Sequence, residues 1–144
     1  STDNGSSWDN VTSTTSNNLV GVTFGNNTFV AVGASGNRFR TTDNGSSFDN
    51  ATSPTAKDLW GITFANNTFV AEGVYIVRST DYGLSFDNVT SPTANNLAGV
   101  VFGNNTFVAV GDNGTIVRST DNGVSFENVT SPTSNTLMGV TFSE

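Results

Sequence analysis

The chain has 144 residues, with 5 basic and 12 acidic side chains, a net charge of −7, and neither cysteine nor histidine. This composition excludes a disulfide scaffold, a thiolate nucleophile, a cysteine-ligated zinc site and a histidine general base. The acidic balance disfavours nucleic acid and anionic membranes, and no apolar run reaches the roughly eighteen residues of a membrane-spanning helix.

The first element is an octet, Ser1-Thr2-Asp3-Asn4-Gly5-Ser6-Ser7-Trp8, and it recurs three times: at 41–48, 79–86 and 119–126. Each copy reads Ser/Thr-Thr-Asp-x-Gly-x-Ser-aromatic. Glycine after Asp-x supplies a positive-φ residue, so each octet predicts a tight turn between two strands. The aspartate is expected to accept hydrogen bonds from N–H groups two or three residues on, with the aromatic packed beneath. Asp3, Gly5 and Trp8, Asp43, Gly45 and Phe48, Asp81, Gly83 and Phe86, and Asp121, Gly123 and Phe126 are therefore read as structural. Four copies of a catalytic acid in so small a chain would have no purpose.

After the first octet the pattern predicts strand A at 19–24, ended by Gly25-Asn26-Asn27, and strand B at 28–33. Both are apolar at odd and even positions, which suits a sheet covered on both faces. Strand C, at 37–41, leads into the second octet, and strand D, at 48–52, is polar as an outer edge should be. A Ser-Pro-Thr corner at 53–55 leads to the next strand A, and Pro92 and Pro132 repeat Pro54.

The aspartates Asp3, Asp43, Asp81 and Asp121 are spaced by 40, 38 and 40 residues. A period near forty with four short strands is the size of a propeller blade. The short interval arises where 32–40 in one repeat becomes 72–78 in the next, with two residues lost from the B–C turn. The expected organisation is all-β, about 3.5 repeats of four antiparallel strands. Residues 1–14 are a lone strand D, 15–53, 54–91 and 92–131 are whole repeats, and 132–144 is a lone strand A. Counting from the octets places Arg40 opposite Asp49, Arg78 opposite Asp87 and Arg118 opposite Glu127. Such cross-strand ion pairs are expected to contribute roughly 0.2–1 kcal/mol each.

The octets resemble the Asp-box, or bacterial neuraminidase repeat, and the resemblance extends along the whole chain. It implies a β-propeller with the box between the third and fourth strands of each blade. Asp-box proteins include sialidases, other glycosidases, lectins, photosystem assembly factors and many secreted proteins. The sialidase machinery, an arginine triad with a Tyr/Glu pair and an acidic Asp, does not carry over. Of Arg38, Arg40, Arg78 and Arg118, three fill one repeated slot, and nothing brings Glu72 and Tyr75 together with them. The chain is read as non-catalytic and without a cofactor.

Comparison among the repeats singles out the second. The slot after the strand-A leucine is Val20, Trp60, Ala98 and Met138, and Glu72 replaces the valine of Val32 and Val110. Lys57, Trp60, Glu72, Tyr75 and Tyr82 are the candidate ligand-binding residues, the aromatics for a sugar ring and the charges for its hydroxyls. Drift at an exposed strand end explains the same substitutions. Asn-x-Ser/Thr triplets make Asn10, Asn26, Asn50, Asn66, Asn88, Asn104 and Asn128 candidate glycosylation sites, as do Asn4, Asn44 and Asn113, although turns and strands favour these residues anyway. No stretch reads as a secretory signal, and a chain starting at Ser1 fits a mature or trimmed protein. The expectation is an extracellular or cell-surface module, structural or adhesive through self-association, with a lectin-like binder as the alternative and a degenerate sialidase-like fragment third.

Overall fold

The computed structural model describes residues 3–51 and 53–143. These residues form three antiparallel sheets of four strands, each a meander in sequence order. The first blade is β1 (Leu19–Gly25), β2 (Thr28–Gly33), β3 (Arg38–Thr41) and β4 (Asp49–Asn50). The second is β5 (Leu59–Ala65), β6 (Thr68–Gly73), β7 (Ile76–Ser79) and β8 (Asp87–Val89). The third is β9 (Leu97–Gly103), β10 (Thr106–Gly111), β11 (Ile116–Ser119) and β12 (Glu127–Val129).

The first two strands of each blade are joined by two asparagines with positive φ, at +48° and +58° for Asn26 and Asn27. Asparagine tolerates this left-handed region, and two such residues make the hairpin turn whose twist matches the strands. Next to each turn a phenylalanine pair faces across the strands, Phe24–Phe29, Phe64–Phe69 and Phe102–Phe107, with ring centroids 4.6–4.7 Å apart. The expected strand D is shorter than 48–52: β4 covers two residues, and Thr52 lies outside the described residues.

The core lies between blades. Val30, Val32 and Ala51 of the first blade pack on Leu59, Phe69, Ala71, Val77 and Phe86 of the second. Val70, Ile76 and Val89 of the second pack in the same way on Leu97, Phe107, Ala109, Val117 and Phe126 of the third. All six residues of β6 are buried, which is why the sequence is apolar on both parities there. The innermost strands approach closely through glycine: a Cβ on Gly21 would stand 3.6 Å from Gly61 Cα, and one on Gly99 only 3.1 Å from Gly139 Cα.

The two flanking segments form no ladder. Residues 8–12 and 137–142 have strand-like sequences, but strand D pairs only with strand C and strand A only with strand B. Residues 137–142 nevertheless continue the inner series β1, β5, β9 by packing. The Phe142 ring lies against Gly103, and the Leu137 N–H donates to Gly111 O at 3.0 Å. On the opposite side the first blade is largely open, with only residues 11–14 lining a hollow against Leu19, Val22 and Ala31: Leu19 is 43% exposed, whereas the equivalent Leu59 and Leu97 are 0% and 1% exposed.

Candidate functional site

Each octet is a closed hydrogen-bond loop. In the second blade's box, Asp81 Oδ1 accepts from the Ser85 N–H at 3.0 Å, and Oδ2 from the Ser85 hydroxyl at 2.6 Å. The Ser79 hydroxyl donates to Asp81 Oδ1 and accepts from the Gly83 N–H at 3.0 Å. The third blade repeats this around Asp121, Ser125, Ser119 and Gly123. The first box keeps the Asp3–Ser7 pair of bonds, although Ser1 and Thr2 lie outside the described residues. The aspartate's strongest grip is thus on the residue four positions on, beyond the expected two or three, with a weaker pull from the N–H three positions on at Ser46 and Val124. Hydrogen bonds from Thr41 and Ser47 hold the Asp43 carboxyl down at about 2, and those from Ser125 and Ser119 do the same for Asp121. At Asp81 burial pushes upward, but the bonds from Ser85 and Ser79 outweigh it and leave the carboxyl below its ordinary value.

The boxes also join the blades. Gly83 sits on Val30 of the preceding blade and Gly123 on Val70, where an added Cβ would stand 2.7 Å and 3.0 Å from a valine methyl. Arg40 Nε donates to Tyr82 O at 3.2 Å and Arg78 Nε to Asn122 O at 2.9 Å, each reaching from one blade into the box of the next. Asn122 returns a bond to Thr68 Oγ1 at 2.7 Å.

This corrects the expected ion pairs. The register is as read, with Arg40 opposite Asp49, Arg78 opposite Asp87 and Arg118 opposite Glu127. Among the described residues only Arg118 forms the pair, to Glu127 Oε1 at 2.7 Å. Where a following blade offers a carbonyl from a half-buried box, the guanidinium takes it and leaves the exposed carboxylate to water. Among the described residues no box lies beside Arg118, and it folds back on Glu127.

The candidate ligand residues are not gathered. Trp60 lines a groove of about 320 Å³ with Ala98, Asp112 and Met138. Tyr75 lines a separate hollow of about 500 Å³ with Val74, Asn88, Thr93 and Ala94 among others. That hollow has a clear origin. In the first and third blades a tight turn, Ala34–Gly36 or Asp112–Gly114, presses its last glycine against the following linker at Thr55 or Thr133. The two-residue deletion removes this turn from the second blade, so Thr93 and Ala94 are left facing Tyr75. Tyr82 stands on the second blade's box at φ +63°, an unusual conformation for an aromatic residue. Lys57 is exposed on the linker, where its N–H donates to Thr55 Oγ1 at 3.0 Å.

Glu72 is 0% exposed, both its oxygens lack partners, and burial pushes its carboxyl up to about 8. It faces the third blade beside Gly61 and Gly99, where its counterparts are valines. Arg38 is a second buried charge that sequence reasoning passed over. It lies 4.8 Å above the Phe86 ring, its three nitrogens have no partner, and burial lowers its pKa to about 10. The available signal was the repeat itself, since Ile76 and Ile116 fill that slot elsewhere.

Several glycosylation candidates are occupied by structure. Asn26 Nδ2 donates to Asn67 Oδ1 and Asn66 Nδ2 to Asn105 Oδ1 at 3.1 Å, linking successive turns, and Asn128 Nδ2 donates to Pro92 O at 3.0 Å. Asn50 Oδ1 accepts from Thr14 at 3.1 Å. Asn10, Asn88 and Asn104 are exposed.

Three meandering sheets whose cores lie between them, with inner strands converging through glycine, match solved structures. YCF48 from Cyanidioschyzon merolae superposes with a TM-score of 0.69 at 21% identity, covering 82% of this chain and 38% of that one. The computationally designed Ika4 protein gives a TM-score of 0.70 at 12% identity, covering 90% and 82%. An ancestral GH74 enzyme gives 0.63 at 15% identity, covering 78% and 20%. The fold is that of β-propeller blades. The chain spans well under half the length of the YCF48 protein it matches. No family model matches the sequence, and no curated protein matches it.

Proposed function

We propose that this chain is a non-catalytic, extracellular β-propeller repeat module of the Asp-box type. Its role is structural or adhesive and is exerted by packing its outer blade faces against a second copy of itself. One observation carries the reading. Arg40 and Arg78 each clasp the next blade's box, while Arg118, in the same slot, closes on its own strand neighbour Glu127. On the other side, the box at 43–48 rests on none of the described residues: none lies within 4 Å of a Cβ on Gly45, whereas Gly83 and Gly123 rest on valines. The two unfilled halves are copies of one joint, so a head-to-tail contact between chains fits both. Sedimentation over a range of concentrations tests this. The mass should rise with concentration, and Leu19→Asp on the open face should keep the chain at 15.0 kDa. A wild-type chain that stays at 15.0 kDa throughout would overturn the reading.

The Tyr75 hollow favours a second reading, a lectin-like binder. It pairs an aromatic ring, 44% exposed, with the uncharged polar groups of Asn88, Thr90, Ser91 and Thr93. A glycan array should then show binding that disappears when two residues are reinserted to restore the turn found in the third blade. The absence of any bound glycan would dispose of it.

A further inference from the structure

Trp60, Ala98 and Met138 each follow the leucine of an inner segment, and together with Asp112 they line one groove. The ladders explain why they meet. Leu59 and Gly61 pair with Gly73 and Glu72, so Trp60 is an extra residue, and Ala98 is extra in the same way between Leu97 and Gly99. A bulge of this kind re-aims its side chain out of the sheet's alternation. Close glycine approaches hold the three segments side by side: a Cβ on Gly61 would stand 3.7 Å from Gly99 Cα, and one on Gly99 3.1 Å from Gly139 Cα. Ala98, small between the larger Trp60 and Met138, leaves a gap of about 320 Å³.

Among the described residues lining this gap, only Asp112 is charged. Its counterparts in the first and second blades, Ala34 and Val74, are apolar. The carboxylate is half-buried and positioned by the segments that lead to Ala98 and Met138: Oδ2 accepts from Asn96 Nδ2 at 3.3 Å and Oδ1 from the Thr136 hydroxyl at 3.5 Å. None of the chain's own cations occupies the place. Among the described residues the ion pair is Arg118–Glu127 and the cation–π contact is Arg38 over Phe86.

We propose that this groove binds the quaternary ammonium head group of a small molecule of the choline type. The proposal goes beyond the self-association reading and does not require it. An indole face and a thioether favour a polarising cation with an apolar body, and the carboxylate adds the opposite charge. An anion would be repelled by Asp112, and a neutral apolar group would cover the carboxylate without compensating its lost water. A primary ammonium brings three N–H donors that need acceptors, whereas a quaternary one brings none. The groove's side chains, three apolar and one carboxylate, match the second case.

The experiment titrates choline chloride into the isotopically labelled full chain at constant ionic strength and follows the two indole N–H signals by NMR. Trp60→Val assigns them, and Trp8, 80% exposed, serves as the internal reference. The Trp60 signal should shift saturably, with a dissociation constant on the order of millimolar, while the Trp8 signal stays in place. Dimethylbutanol, the uncharged isostere of choline, should bind about tenfold more weakly, and ethanolamine more weakly than choline. Ala98→Met should abolish the shift by filling the gap, and Asp112→Ala should weaken binding about threefold. These replacements copy Met138 and Ala34 of the equivalent slots, and circular dichroism confirms that each variant is folded. No saturable Trp60 shift, a shift that survives Ala98→Met, or equal binding of choline and dimethylbutanol would overturn the proposal. Tighter binding of ethanolamine would overturn the quaternary assignment. Should Ala98→Met fail to fold, the comparison of choline with its isostere on the parent chain decides.

Discussion

Replacing Glu72 by valine should stabilise this protein at neutral pH and abolish a specific pH dependence. The carboxyl lies between the second and third blades with no hydrogen-bond partner, and burial raises its pKa from 4.5 to about 8. A folded-state value above the unfolded one means that the native chain must hold a proton the unfolded chain has released. Stability from this group is therefore complete below about pH 4.5 and falls as pH rises toward 8. At about 1.36 kcal/mol per pH unit, the loss is on the order of 3 kcal/mol by pH 7 and 5 by pH 8, as an upper bound. Valine already occupies the slot as Val32 and Val110, so the replacement fits the blade geometry and leaves at most a small void. Urea denaturation of parent, Glu72→Val and Glu72→Gln at pH 5, 6, 7 and 8 measures this. The parent should weaken steadily over that range while both variants stay nearly level, and the valine variant should exceed the parent at pH 7. A parent whose stability is flat from pH 5 to 8, or a valine variant weaker at pH 7, would refute the reasoning.

Tyr82→Asn should stabilise the fold by about 1 kcal/mol, because asparagine accepts the positive φ and can donate to Thr28 as Asn122 does to Thr68; urea denaturation reads the gain. Arg78→Ala should cost about 1–2 kcal/mol by losing the bond into the next box, and Arg118→Ala, whose ion pair is exposed, clearly less. Equal losses in the two variants would mean that the clasp between blades contributes nothing. Acid should act in the opposite sense to the Glu72 effect. Asp43 and Asp121 sit near 2 when folded, so their contribution is present above the ordinary carboxylate value of 3.8 and is lost as pH falls through about 2. Thermal melts followed by circular dichroism should hold from pH 5 to 4 and drop steeply below 3.

Strand positions were legible because turn chemistry brackets them. The Asn-Asn and Asp-x-Gly signals require positive φ, and those residues adopt it, so β2 begins and ends where the pattern puts it and β1 and β3 depart by a residue. The cross-strand register of Arg40 with Asp49 followed from counting along the same turn. What each arginine touches did not follow, because the partner belongs to a blade some forty residues away and repetition does not say which neighbour wins. Glu72 and Arg38 illustrate a related limit. Their departure from Val and Ile could be seen by aligning the repeats, but their complete burial depends on blades closing over them. Nearness in sequence did not show which hollow each candidate lines: Trp60 lies on β5 and Tyr75 in the turn after β6, and they line different hollows.

Since the chain has no cysteine, a single crosslink can report directly on the proposed joint. Asn44→Cys and Arg118→Cys chains would be prepared separately, mixed, and treated with a short bis-maleimide. The account predicts that the mixture yields a crosslinked species of twice the chain mass joining one variant to the other, well above what either variant gives alone. Equal yields with and without mixing, or no crosslinked dimer at concentrations where the chain associates, would contradict it.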